Sequence, residues 1–140
     1  MKKLFILVLA VTYSFIGMAQ GQAGTWVQTD KEKLDCKKIV TNSQVAKLVM
    51  ENGEKKTIPF DQIISYSDNG KVFNKIPLYE RGTPTKMVFM ELLKTRDDGL
   101  SLYKYLNPND EVDEFIYKGD QLHMYVDVNT RKEINKEFGL

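Results

Sequence analysis

Thr83-Pro84-Thr85-Lys86-Met87-Val88-Phe89-Met90-Glu91-Leu92-Leu93-Lys94 decides the fold class, because the same letters suit two structures. With Thr83 as an N-cap and Pro84 in the first helical position, Met87, Met90, Glu91 and Leu93 suit a helix. As a strand, the stretch puts Val88, Met90 and Leu92 on one face and Met87, Phe89 and Leu93 on the other. The segment beyond Thr95-Arg96-Asp97-Asp98-Gly99 favours the strand. There Leu100, Leu102, Lys104 and Leu106 alternate cleanly with Ser101, Tyr103 and Tyr105, as a hairpin partner would. A helix over 84–94 would make the chain α+β, whereas a strand makes it mostly β.

The flanking sequence carries the same strand-and-turn rhythm. Asn52-Gly53, between apolar runs at 44–50 and 55–60, tolerates the positive φ that a type I′ hairpin turn demands. Asp68-Asn69-Gly70, between 63–67 and 71–76, repeats that chemistry in what reads as a slightly longer loop. Pro59 cannot donate to a ladder, so its strand should end there or lie at an edge. Further on, 113–118 and 121–128 flank Gly119-Asp120. In the second of these, Leu122, Met124, Val126 and Val128 should share one face and His123, Tyr125 and Asp127 the other. The tail changes period: Thr130 with Glu133 reads as a capping box, and Ile134 and Phe138 lie on one helical stripe. So short a helix must dock on the sheet to persist. The expectation is a mostly β domain, a single antiparallel sheet or partly closed barrel of six to eight strands with a short C-terminal helix.

Met1-Lys2-Lys3, the uncharged run Leu4 to Ile16, and Gly17-Met18-Ala19 have the form of a cleaved export signal. Thr12, Tyr13, Ser14 and Gly17 interrupt the run before it reaches the length of a membrane span. The chain therefore divides into a signal peptide at 1–19, a flexible leader at 20–35 with a short strand at Trp26 and Val27, and one β-rich domain at 36–140. An exported protein, periplasmic or secreted, with no stable membrane span after signal removal is implied. Without the signal, 18 basic residues face 19 acidic ones, so the net charge of +1 becomes −1. Near-neutral charge and export argue against a nucleic-acid partner. Lys31, Lys33, Lys37 and Lys38 form a small basic patch, but Asp30, Glu32 and Asp35 largely neutralise it. A lone cysteine cannot form an internal disulfide, so Cys36 is expected as a small core residue and the fold must stand on packing.

Chemistry-bearing clusters are sparse. The single His and single Cys are separated by 86 intervening residues, which excludes a metal centre built from both in local spacing. The acidic run Asp110, Glu111, Asp113, Glu114 lacks the spacing of a calcium loop and reads as a solvated loop. No phosphate-cradling loop is present, and no cofactor is implied. His123, the one side chain with an ordinary pKa near neutrality, shares its expected face with Tyr125 and Asp127. A small hydrolase would require a nucleophile such as Ser101 from a neighbouring strand. The stronger feature is aromatic crowding: Tyr103 and Tyr105 share one strand face, Phe115 and Tyr117 another, and His123 and Tyr125 a third. If those strands are neighbours, the aromatics either form a second hydrophobic layer closed by the C-terminal helix or the leader, or present a recognition surface. Tyr103, Tyr105, Tyr117, His123 and Tyr125 are thus the candidate binding residues, for a protein, peptide or glycan of the envelope. The alternatives are the His123 hydrolase and a purely structural component of a surface assembly.

The apolar leader, Phe89-Met90-Glu91-Leu92-Leu93, Gly99-Leu100-Ser101-Leu102-Tyr103-Lys104-Tyr105 and Phe115-Ile116-Tyr117-Lys118-Gly119 together give a further pointer. In this, the chain resembles small exported proteins of Bacteroidota-type bacteria, in which a hydrophobic strand, a Gly turn and a Leu-Tyr strand recur. The resemblance spans 85–128. It implies an envelope or secreted location and supplies no catalytic residues.

Overall fold

The computed structural model describes residues 24–42 and 44–140. The export signal read at 1–19 and the first residues of the expected leader lie outside them. Eleven strands and one helix follow in order: β1 (Trp26–Thr29), β2 (Lys33–Asp35), β3 (Lys38–Thr41), β4 (Val45–Val49), β5 (Lys55–Pro59), a 3₁₀ turn (Phe60–Gln62), β6 (Ile63–Asp68), β7 (Lys71–Glu80), β8 (Thr83–Thr95), β9 (Leu100–Leu106), β10 (Val112–Lys118), β11 (Gln121–Val126) and α1 (Arg131–Glu137). Eight of them make one antiparallel sheet in the order β11-β10-β9-β8-β7-β6-β1-β2, and β3-β4-β5 make a second. The protein is mostly β, antiparallel and not a closed barrel, with a short C-terminal helix. No helix among the described residues is long and apolar enough to cross a membrane.

Residues 83–95 form a strand because they have neighbours to pair with. β7 pairs with β8 from Thr83 to Glu91, and β9 pairs with its C-terminal part. Pro77 and Pro84 are accommodated because each sits where its strand has a neighbour on one side only. The short strand expected at Trp26 and Val27 is β1, and the stretch read as leader also carries β2. β1 pairs with β6, and β2 completes the sheet edge.

The turns exchange the roles read from sequence. Asn69 and Gly70 have φ of 52° and 86°, the two positive values of a type I′ turn. This two-residue loop sets Tyr66 opposite Phe73. At 50–53 only Gly53 is positive, at 85°, and its N–H donates to the Met50 carbonyl at 2.9 Å. That geometry is a type I turn followed by a left-handed glycine, and not the type I′ turn expected there.

Three hydrophobic cores result. The small sheet turns Ile39, Ala46 and Leu48 onto Val27, Cys36, Ile63 and Tyr66 of the large sheet's N-terminal end. At the other end, Ile134 of α1 and Phe138 at its C-cap cover Leu102, Ile116 and Val126. On the opposite face of β9 and β10, Tyr103, Phe115 and Tyr117 pack with Ile76, Leu78 and Met90 of the β7–β8 hairpin. β8 and β9 separate β7 from β10 in the sheet order, yet the Tyr117 hydroxyl donates to the Pro77 carbonyl at 2.8 Å. The sheet thus bends on itself, and the far half of the hairpin is its own second layer. This corrects the expectation that the C-terminal helix or the leader would close the aromatic layer.

The helix start also differs. Thr130 makes no side-chain cap bond to the helix. Instead Asp127 Oδ1 accepts the N–H groups of Asn129 and Thr130 at 2.8 and 2.9 Å, and the Asp127 carbonyl accepts that of Arg131. A carboxylate one turn earlier outcompetes the hydroxyl because its bonds to the amides are charge-assisted.

Candidate functional site

β10 aligns with β9 so that Phe115 faces Tyr103, and β11 places Tyr125 beside Phe115. The expected aromatic face therefore assembles. Its rings meet edge-on, Tyr103 to Tyr117 with centroids 5.7 Å apart and Phe115 to Tyr125 at 5.4 Å, a favourable quadrupole arrangement. Burial divides the candidates. Tyr103 and Tyr117 are core residues, Tyr103 accepting a bond from the Asn74 amide at 3.0 Å. Burial pushes the Tyr117 hydroxyl up to about 12, with Tyr79 and Tyr103 adding to the rise. Tyr105 is half-buried and Tyr125 is 51% exposed, its hydroxyl donating to Asp113 at 3.3 Å.

The alternation read along β11 does not hold throughout. A register shift between Ile116 and Tyr117 puts Leu122 opposite Tyr117 and Met124 opposite Ile116. Leu122 thereby joins the aromatic core while Met124 faces α1, so the regular alternation assumed along 121–128 is broken at His123. His123 is exposed and makes no hydrogen bond among the described residues. Ser101 pairs with the Thr95 hydroxyl at 3.0 Å, and Asp127 is committed to the helix start. No hydrogen bond among the described residues joins the three groups of the hydrolase alternative. Among the described residues no group of three or more His, Cys, Asp or Glu side chains could hold a metal ion.

The surface feature that sequence reasoning missed lies between β8 and β9. Their pairing covers only Glu91–Thr95 against Ser101–Lys104. N-terminal to Glu91, β8 has β7 as its sole neighbour, and past Lys104 β9 has only β10. The strands part there, opening a groove of about 810 Å³ between Met87, Val88 and Phe89 on one side and Tyr105 and Leu106 on the other. It adjoins a hollow of about 420 Å³ that shares Met87 and adds Ile64. Leu106 in turn pairs with Val112. Ile64, Met87, Leu106 and Val112, at 49%, 55%, 60% and 45% exposure, thus line or flank the two adjoining hollows as an apolar track.

Beneath the track lies a second aromatic cluster. Phe60 to Phe89, Tyr66 to Phe89 and Tyr66 to Phe73 have centroid separations of 5.0, 5.2 and 4.8 Å. Lys75 is pinned above it, its ammonium donating to the Phe60 carbonyl at 2.7 Å and lying 5.5 Å from the Phe89 ring. Lys86 at the groove wall makes no ion pair among the described residues. The arrangement can hold an extended apolar segment: a fixed floor, aliphatic walls, and a strand edge without a main-chain partner. A sequence signal for part of it existed. Tyr66 and Phe73 are symmetric about Asn69-Gly70, so a two-residue turn predicts that pair. A comparison with protein families, curated proteins and solved structures finds no match to this chain.

Proposed function

We propose that the protein is an exported, non-enzymatic binding module, periplasmic or secreted, that holds an extended protein or peptide segment in the groove between β8 and β9. The observation that carries this reading is the set of exposed side chains Ile64, Met87, Leu106 and Val112 around the stretch where β8 and β9 are unpaired. Contiguous aliphatic exposure of this kind marks interaction sites, and an open edge offers main-chain hydrogen bonds to an added strand. Of the candidate aromatic residues, Tyr105 serves here as a groove wall, and Tyr125 keeps a separate exposed face. Tyr103 and Tyr117 support both from within. Export is supported by the residues at 1–19 and by the resemblance described above.

Panning a random-peptide library against the purified protein should enrich extended apolar sequences. Met87→Asp and Leu106→Asp should each weaken those peptides about tenfold or more, the penalty for a charge in an apolar contact, with unchanged melting because both side chains are exposed. Absence of enrichment, or enriched peptides indifferent to both substitutions, would falsify the reading.

A further inference from the structure

The outer face of the three-stranded sheet differs from the rest of the surface. Its inner side chains Ile39, Ala46 and Leu48 enter the core, so alternation turns Lys38, Val40, Lys47, Val49 and Lys55 outward. Register sets Lys38, Val49 and Lys55 abreast, with Val40, Lys47 and Thr57 abreast in the next row. Lys38 and Lys55 therefore stand two strand spacings apart, about 10 Å, with Lys47 between them one row along. The shallow hollow over this face, about 420 Å³, has four lysines in its lining, Lys56 being the fourth, and no acidic residue. None of these lysines makes an ion pair among the described residues. Glu51 and Glu54 lie in the β4–β5 turn beyond the end of the face, and the Glu51 charge acts on buried Cys36. Val40 stands among the lysines at 53% exposure. The basic patch at Lys31, Lys33, Lys37 and Lys38 is thus redrawn by the fold: Lys38 joins Lys47 and Lys55, while Lys33 sits over the Trp26 ring.

Uncompensated like charges on one small face repel, and sheet surfaces ordinarily mix signs. A covering anion relieves that repulsion. The occupant must be negative to match the ammonium groups, broad and flat to match a sheet face, and apolar just below its charges to receive the valines. An acidic lipid leaflet has all three properties, whereas a soluble polyanion or acidic peptide has only the first. Lysine stems can splay toward headgroups while the shorter valine meets the interfacial layer. We infer that the outer face of the β3–β5 sheet seats the protein on an anionic lipid surface through Lys38, Lys47, Lys55 and Val40.

Co-sedimentation of the purified protein with vesicles of mixed phosphatidylglycerol and phosphatidylcholine, compared with phosphatidylcholine alone, tests this. Binding should require phosphatidylglycerol and weaken as salt rises. The triple variant Lys38→Gln, Lys47→Gln, Lys55→Gln should lose about a hundredfold in affinity, and Val40→Ser should lose several-fold. All substituted positions are exposed, so circular dichroism and melting should match the parent; should the triple variant misfold, Lys47→Gln alone should still lose about fivefold. No binding to the mixed vesicles, equal binding to neutral ones, or variants that bind like the parent would overturn the inference. So would dextran sulfate binding as tightly as the vesicles with Val40→Ser unaffected, since that is a generic polyanion site. The groove variants Met87→Asp and Leu106→Asp should bind vesicles normally, which separates this face from the peptide site.

Discussion

At the scale of single residues, Tyr117 does two jobs that its neighbours do not. Its ring is fully buried against Tyr79, Tyr103 and Phe115, and its hydroxyl ties β10 to the Pro77 carbonyl. Tyr117→Phe keeps the ring and orphans the carbonyl, which should cost about 1–2 kcal/mol. Tyr125→Phe, at an exposed hydroxyl, should cost less than about 0.5 kcal/mol. Chemical denaturation of the two variants checks the contrast. Because burial holds the Tyr117 proton up to about 12 against an ordinary 10.0, the folded protein keeps a proton that the unfolded chain gives up. Its contribution to stability is therefore complete below pH 10 and declines as pH rises from 10 toward 12. Burial raises the Cys36 thiol as well, in the same direction and from a lower starting pH. Tyr117→Phe should flatten the upper part of the alkaline stability loss and leave the Cys36 part in place. An unchanged alkaline profile in the variant would contradict this account.

At the scale of elements, α1 is too short to persist alone and survives through one cap and one contact face. The cap is Asp127, whose carboxyl is held below its ordinary range chiefly by the Thr130 N–H. The face is Ile134 with Phe138, and Arg96 closes the rim by pairing with Glu137 and lying 5.3 Å from the Phe138 ring. Asp127→Ala should speed amide exchange throughout α1, and Glu133→Ala, the expected capping-box partner, should not. A depressed carboxyl stabilises above its unfolded value and stops doing so as pH falls through its folded value, so the difference between Asp127→Ala and the parent should vanish in acid. Phe138→Ala should cost about 3–5 kcal/mol in denaturation experiments, because α1 then uncovers Leu102, Ile116 and Val126. Equal exchange rates in the Asp127 and Glu133 variants would return the capping role to Thr130.

At the scale of the whole molecule, the bend of the large sheet sets both the core and the candidate site. Ile76, Leu78 and Met90 of the β7–β8 hairpin cover Tyr103, Phe115 and Tyr117 on one side of the bend. Parting from β9 at Glu91 opens the groove on the other. Met90 is fully buried at that point. Met90→Ala should cost about 2–5 kcal/mol, a large share of the 5–15 kcal/mol typical of a domain. Since the hairpin layer and the sheet share one core, tyrosine near-ultraviolet signals and far-ultraviolet sheet signals should still be lost in one transition. Loss of the tyrosine signal first would show that the hairpin folds back as an independent unit.

The sequence by itself determined that the chain is strand-rich, where most hairpins turn, that a short helix closes it, and that aromatics gather on β9, β10 and β11. These are local properties: alternation, turn chemistry and period are written in residues a few positions apart. Tertiary structure alone decided which aromatics are core and which are surface, because that depends on the hairpin folding over Tyr103 and Tyr117. It also broke the alternation of β11, since a register shift opposite Ile116 and Tyr117 brings Leu122, read from sequence on the face of Met124 and Val126, onto the aromatic core. The groove at Met87 and Leu106 was invisible for a related reason. A gap between strands is set by where pairing stops, and no periodicity along either strand records that.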